Sequence, residues 1–261
     1  MSNRNYTARL QKGGAVLDEI RIIVRNWSDD EPWEEQSQKI IQNNILGKKS
    51  RSRATDVYRR VFSHRYLKGN PPEAWKIVRP LEGVNVALEI LIPVYYWITA
   101  RSDDLLYDFV VDEILPRSKS YDLAVRVDET ALWIQEKLSF LNQSWTETVK
   151  LKVSRGLLAA LRDFGILEGA AKKKIAPIYL PLESFAYIAF ALNRLGKSGE
   201  GLITHQDWNL FLFGQPAVER MFLEAHQNGL LRYEAAGNIH RVEFFAENYE
   251  EMADVVARRM V

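Results

Sequence analysis

The sequence predicts a mainly α protein. A helical bundle over residues 1–143 is followed by a region, 144–261, with two winged-helix-like patterns carrying short β-hairpins. Three observations predict this. Apolar residues recur at helical spacing through the first two thirds of the chain, as Val16, Ile20, Ile23 and Trp27 do. After Trp145 a different unit appears twice: a helix closed by glycine, a strand, a polar turn and a second strand, once around Gly165 and again around Gly229. The chain has 261 residues and no cysteine, so its core is built without disulfides or thiolate metal sites.

Element by element, the spacing predicts a first helix over 15–27. Ser28 is placed to cap a second helix that starts at Pro32, has acids in its first turn and runs to Gly47. The segment KKSRSRATDVYRRVFSHRYL follows, with Val57, Val61 and Phe62 as the apolar stripe of a helix ending near Tyr66. KGNPP (68–72) is a turn. Helices are expected at 72–79, 84–100, 103–115 and 121–140. The run 84–100 is the most apolar, but it holds Glu89 and Pro93 and is shorter than the roughly 20 residues a membrane span needs. It is read as a buried core helix. With no apolar stretch near the N-terminus, a cytoplasmic protein without membrane contact is expected. A helix over 149–167 stops at Gly165, EGAAKKK forms a polar loop, and IAPIYL is expected as a strand. SFAYIAFALNRLG is an amphipathic helix stopped by Gly196, and SGEG after it is not expected to begin another. The helix over 217–231 stops at Gly229, and the next strands turn at Ala236-Gly237-Asn238.

Charge carries the functional signal. The chain holds 35 Lys and Arg against 34 Asp and Glu, so its net charge names no partner. From Lys48 to Lys68, however, eight Lys or Arg stand with one acid, Asp56. On a helix, Arg53, Arg60 and His64 share a face beside Lys49, flanked by Arg51, Arg59 and Arg65. Such a stripe favours phosphates by counterion release, and Ser50, Ser52 and Thr55 offer hydroxyls. The competing reading pairs this stripe with the acidic segment 28–35 or with an acidic partner protein.

In the first winged pattern, the part of the helix expected to meet base edges is Val153, Ser154 and Arg155, with Arg162 further along. Lys172, Lys173 and Lys174 stand where a wing tip would reach phosphate. The same fold also serves as a protein-protein module. The second pattern mixes Arg220, His226, Arg232, His240 and Arg241 with Glu219, Glu224, Glu234 and Glu243, which points to a protein contact.

Other motifs carry less. ALNRLGKSG (191–199) fits a relaxed phosphate-binding loop, but a helix precedes it where the mechanism needs a strand. Asp104, Asp108 and Asp112 share a helix face, and Ser102 as N-cap accounts for part of that cluster; a solvated face is expected. His64, His205, His226 and His240 lack metal-ligand spacing. No residue set proposes a catalytic chemistry, so neither enzyme activity nor a metal or cofactor is expected.

YTARLQKGGAVLDEIRIIVRNW, followed by ILGKKSRSRATDVYRRVFSHRYL, resembles the BrxA family of BREX bacteriophage-defence systems. The likeness is best over residues 5–70: a glycine-containing lead-in to the first helix, then a Leu-Gly-Lys-Lys-Ser turn into an Arg-rich helix ending Arg-Tyr-Leu. The resemblance implies a largely helical, NusB-like fold in part, and a non-enzymatic, double-stranded DNA-binding protein. It implies Lys48, Lys49, Arg51, Arg53, Arg59 and Arg60 as the phosphate-facing set, and other BREX proteins as further partners. Two readings stay beside it: an adaptor within the defence complex, and an RNA-binding factor of the antitermination type.

Overall fold

A computed structural model describes residues 4–12, 14–28, 30–237 and 239–260. Gly13, Asp29 and Asn238, which fall in the segments read from the sequence, lie outside the described residues. A short 3-10 helix, Ala8–Lys12, opens the chain. It is followed by α1 (Leu17–Asn26), α2 (Trp33–Gln42) and α3 (Arg51–Asp56), which continues as a π-helix over Val57–Leu67. Next come α4 (Trp75–Gly83), α5 (Leu88–Arg101) and α6 (Asp104–Phe109). A π-helical turn, Val110–Ile114, joins α6 to α7 (Leu115–Arg117). Then follow β1 (Ala124–Val125), α8 (Val127–Phe140), α9 (Glu147–Asp163), β2 (Leu167–Glu168) and β3 (Lys173–Ile175). The remainder is α10 (Leu182–Arg194), α11 (Glu200–Ile203), a 3-10 helix Gln206–Phe211, α12 (Gln215–Gln227), the hairpin β4 (Leu231–Ala236) and β5 (Ile239–Phe244), and α13 (Tyr249–Ala257). The fold is mainly helical, with short antiparallel strand pairs, as the periodicity predicts.

The chain groups into two units. One comprises Met1–Ala74 and Ile98–Pro177, the other Trp75–Trp97 and Ile178–Val261. This differs from a division at 143/144. The reason lies in α9, which packs on both α8 and the 3-10 helix Ala8–Lys12. Packing on the 3-10 helix is made possible by Gly156: a Cβ there would stand 2.0 Å from the Leu10 carbonyl oxygen. The first winged-like pattern therefore belongs with the N-terminal helices.

In the first unit an aromatic ladder seats the basic helix. Tyr58, Phe62 and Tyr66 recur every fourth residue along its inner face and are buried. Trp27 of the α1 C-cap lies 5.1 Å from Phe62, centroid to centroid. The small sheet has order β1-β3-β2, antiparallel throughout, with Leu167 opposite Ile175 and Ala124 opposite Lys174. The core of the second unit is built on Phe185, Trp208 and Phe222, with Phe185 stacked 4.6 Å from Trp208. Trp97 Nε1 donates to the buried Asp207 at 2.7 Å.

Several local expectations are corrected. Ser28 does not cap α2: Pro32 occupies that position, and Ser28 Oγ instead accepts from the Asp30 N–H. The helix stops at Gln42 rather than Gly47, and Asn44 turns the chain with φ 48°. The strand expected at IAPIYL is displaced toward the lysines, because Lys173 and Lys174 pair with Val125 and Ala124 and only Ile175 of that run joins the strand. Glu200 opens a single helical turn after Gly199. The glycine stops hold, with φ of 79°, 87° and 70° at Gly165, Gly196 and Gly229. No helix among the described residues is long and apolar enough to cross a membrane.

Candidate nucleic-acid interface

The basic segment begins at Ser50, whose Oγ accepts from the Arg53 N–H at 3.3 Å and so caps the helix. Thr55 Oγ1 donates to the Arg51 carbonyl at 2.8 Å. Two of the three hydroxyls offered for phosphate are thus spent on the helix itself, while Ser52 is exposed. Lys49, Arg51, Arg53 and Arg59 are exposed and make no ion pair among the described residues. Arg60 is exposed and bonds to Asp56 one turn back at 2.9 Å. Lys48 is set apart: it is partly buried in an ion pair with Glu19 of α1. Arg65 leaves the surface altogether. It is buried, Nη1 donates to the Gly14 carbonyl at 3.1 Å, and burial lowers the pKa of its guanidinium. His64 turns toward Arg9, and burial with the nearby Arg9 and Arg65 lowers its pKa to about 4.

The second group lies on α9. The helix starts at Glu147, capped by Thr146, so residues 153–155 fall in its middle. Val153 and Ser154 face the core, with Ser154 Oγ donating to the Lys150 carbonyl at 2.9 Å. Ser154 is therefore removed from the surface set. The outward face is Thr148, Lys152, Arg155, Ala159 and Arg162, a stripe at three- and four-residue spacing. Lys152, three residues before Arg155, is legible by that spacing but is missed when the helix start is placed too late. Lys152 and Arg155 have no ion-pair partner among the described residues, whereas Arg162 bonds to Asp163 at 2.7 Å. In the loop between β2 and β3, Lys172 alone stands exposed without a partner among the described residues. Lys173 Nζ donates to the Ala170 carbonyl and Lys174 pairs with Glu168 at 2.8 Å. Of the three lysines expected at a wing tip, one is left exposed and unpaired among the described residues.

The second hairpin is electrically balanced. Arg232 and Arg241 both reach Glu243, and Tyr233 stacks on His240 with its hydroxyl 2.9 Å from Nδ1. The aspartate face of α6 and the turn after it is partly exposed, and its carboxylates are ion-paired. Arg4 bonds to Asp104 and Asp108, Tyr6 donates to Asp108 at 2.8 Å, and Lys137 pairs with Asp112. Asp103, not Ser102, caps α6. No group of three or more metal-ligating side chains occurs among the described residues.

The family model described as BrxA matches residues 4–191. Two solved structures are similar in fold. The crystal structure of an uncharacterized protein from Magnetospirillum magneticum aligns at TM-score 0.59 and 16% identity, over 73% of this chain and 95% of its own. A magnesium ion-bound SspB crystal structure aligns at TM-score 0.59 and 10% identity, over 98% of this chain and 88% of its own. At such identities both bear on the fold alone. No curated protein matches the sequence.

Proposed function

The chain belongs to the BrxA family, and so to the components of BREX phage-defence systems, and from that premise we propose that it is a non-enzymatic accessory protein that binds double-stranded DNA, mainly through phosphates. The observation that carries the proposal is the set of exposed, unpaired cations at Lys49, Arg51, Arg53 and Arg59. Elsewhere cations are commonly tied to acids, as Arg4, Lys39, Lys48, Arg117 and Lys137 are. Cations held at the surface without carboxylates are free to replace the counterions of a nucleic-acid backbone.

The connectivity β1, α8, α9, β2, β3 with sheet order β1-β3-β2 supports a winged-helix reading of this part. In that reading α9 is the helix presented to the groove. Thr148, Lys152 and Arg155 on its outer face are the base-edge candidates, and Lys172 reaches phosphate from the loop. The aromatic residues of the basic helix, Tyr58, Phe62 and Tyr66, are buried. These three rings therefore offer no stacking platform for unpaired bases, which favours a duplex. A second reading has its own observation: Leu132 and Phe140, two turns apart on α8, are 62% and 77% exposed, and an apolar pair of this kind suits an adaptor docking on another defence protein.

A mobility-shift competition tests the proposal. Labelled duplex DNA is bound by the protein and challenged with unlabelled duplex, single-stranded DNA and RNA. Duplex is expected to compete best. RNA as the strongest competitor sinks the duplex reading in favour of an antitermination-like factor. No shift at low salt favours the adaptor.

A further inference from the structure

A separate cavity of about 410 Å³ opens in the first unit. Its lining includes Arg9, His64, Lys68 and Asn70, with Arg101 at the end of α5 and Asp103 at the cap of α6. Gly69 is part of the same lining, and the backbone comes close there. A Cβ there would stand 2.2 Å from the Arg65 carbonyl oxygen and 2.3 Å from Ser102 Oγ. Ser102 Oγ itself donates to that carbonyl and accepts from the Asn70 N–H, each at 3.1 Å. Arg101 donates to the Asn70 carbonyl and to its side chain, at 3.3 and 3.2 Å, so its guanidinium is held in place.

Two properties of the lining point to a ligand. Lys68 and Arg9 are exposed and have no carboxylate partner among the described residues. Asp104 in the same wall is already neutralised by Arg4. The balance at the mouth is therefore cationic. At the floor lies Asp103, 4% exposed. Its Oδ1 accepts from the Leu106 N–H, but its Oδ2 is buried with no hydrogen-bond partner. A buried carboxyl oxygen left alone is costly, and a hydroxyl can satisfy it whether it is ionised or protonated, since a hydroxyl both donates and accepts.

We propose that this cavity binds a phosphorylated sugar, as in a nucleoside 5′-monophosphate, with the phosphate between Arg9, Lys68 and Arg101 and a sugar hydroxyl on Asp103 Oδ2. The volume suits a mononucleotide, and the buried carboxyl at the floor opposes a continuous duplex backbone. The ligand is either a free nucleotide or the 5′-phosphorylated end of a strand; both present the same chemistry.

His64 supplies the readout. Burial together with Arg9 and Arg65 holds its pKa near 4, and Asp104 opposes them. A phosphate entering beside it raises that pKa. The experiment follows the His64 imidazole by NMR and binding by calorimetry on the full chain. The probes are GMP, AMP, inorganic phosphate, and short duplexes with 5′-phosphate or 5′-hydroxyl ends. Expected results are binding of a nucleotide, or of a 5′-phosphorylated end over a 5′-hydroxyl end, with His64 shifted upward. Affinity for a nucleotide falls about tenfold in Lys68→Glu, the change expected when one charge-assisted hydrogen bond is removed, and the variant's loss for a 5′-phosphorylated end exceeds its loss for end-blocked duplex. Which of the two probes binds names the source. The proposal is overturned if neither binds, if inorganic phosphate binds as tightly as the nucleotides, or if duplex shifts His64 regardless of its ends. Asp103→Asn adds a check that tolerates the cap, because Asn still accepts from Leu106. It is expected to weaken the nucleotide and leave inorganic phosphate alone.

Discussion

Gly156 and His64 show how much single positions decide here. Gly156 lets the Leu10 backbone lie directly on α9, so Gly156→Ala forces two backbones apart despite its better helix propensity. A destabilisation of about 1–3 kcal/mol is expected, typical of overpacking, and urea denaturation measures it. His64 contributes a pH dependence. Its folded pKa is about 4 against an ordinary 6.5, so the unfolded chain takes up the proton first. Stability from this group is present above pH 6.5 and is lost as pH falls from 6.5 toward 4. The His64→Gln variant is expected to flatten that part of a stability–pH profile; an unchanged profile contradicts the burial of the ring. Neither effect was legible in the sequence. Gly156 looks like a helix defect until Leu10 is seen upon it, and His64 looks like a member of a cationic stripe until Arg9 and Arg65 are placed beside it.

At the scale of elements, periodicity placed the helices well and their ends less well. The Arg-rich helix was legible as an amphipathic segment from Lys49 to Tyr66. Its π-helical second half was not, because the same apolar positions serve either winding. The error of two residues at the start of α9 had a functional cost, since it assigned Ser154 to the groove and passed over Lys152. Strand ends were the hardest to place. The pairing partner of Lys173 is Val125, nearly fifty residues away, and nothing local in KKKIAP announces it. The outer stripe of α9 makes its own prediction. Lys152→Glu with Arg155→Glu is expected to leave the thermal midpoint nearly unchanged, because both side chains are exposed and unpaired. The same change is expected to weaken duplex binding and reduce its salt slope by about one for each phosphate that is no longer neutralised. Full affinity in that variant removes α9 from the interface.

For the whole molecule, the two-unit grouping was hidden because α4 and most of α5 leave the N-terminal sequence to join the second unit. Charge was more legible than topology: the excess of cations at 48–68 stood out in a nearly neutral chain. The structure sorts that excess into Lys48 and Arg65, which hold the fold, Arg60, which pairs with Asp56, Lys68, which lines the separate cavity, and Lys49, Arg51, Arg53 and Arg59, which face outward without partners among the described residues. The most direct test of the central claim is the salt dependence of duplex affinity for the wild type and for a variant with those four outward residues changed to Glu. If the four face phosphate, the wild-type slope of log K against log salt is steeper than the variant's by about 3–4, and the variant retains its fold by circular dichroism. Equal slopes and equal affinities in a folded variant contradict the account.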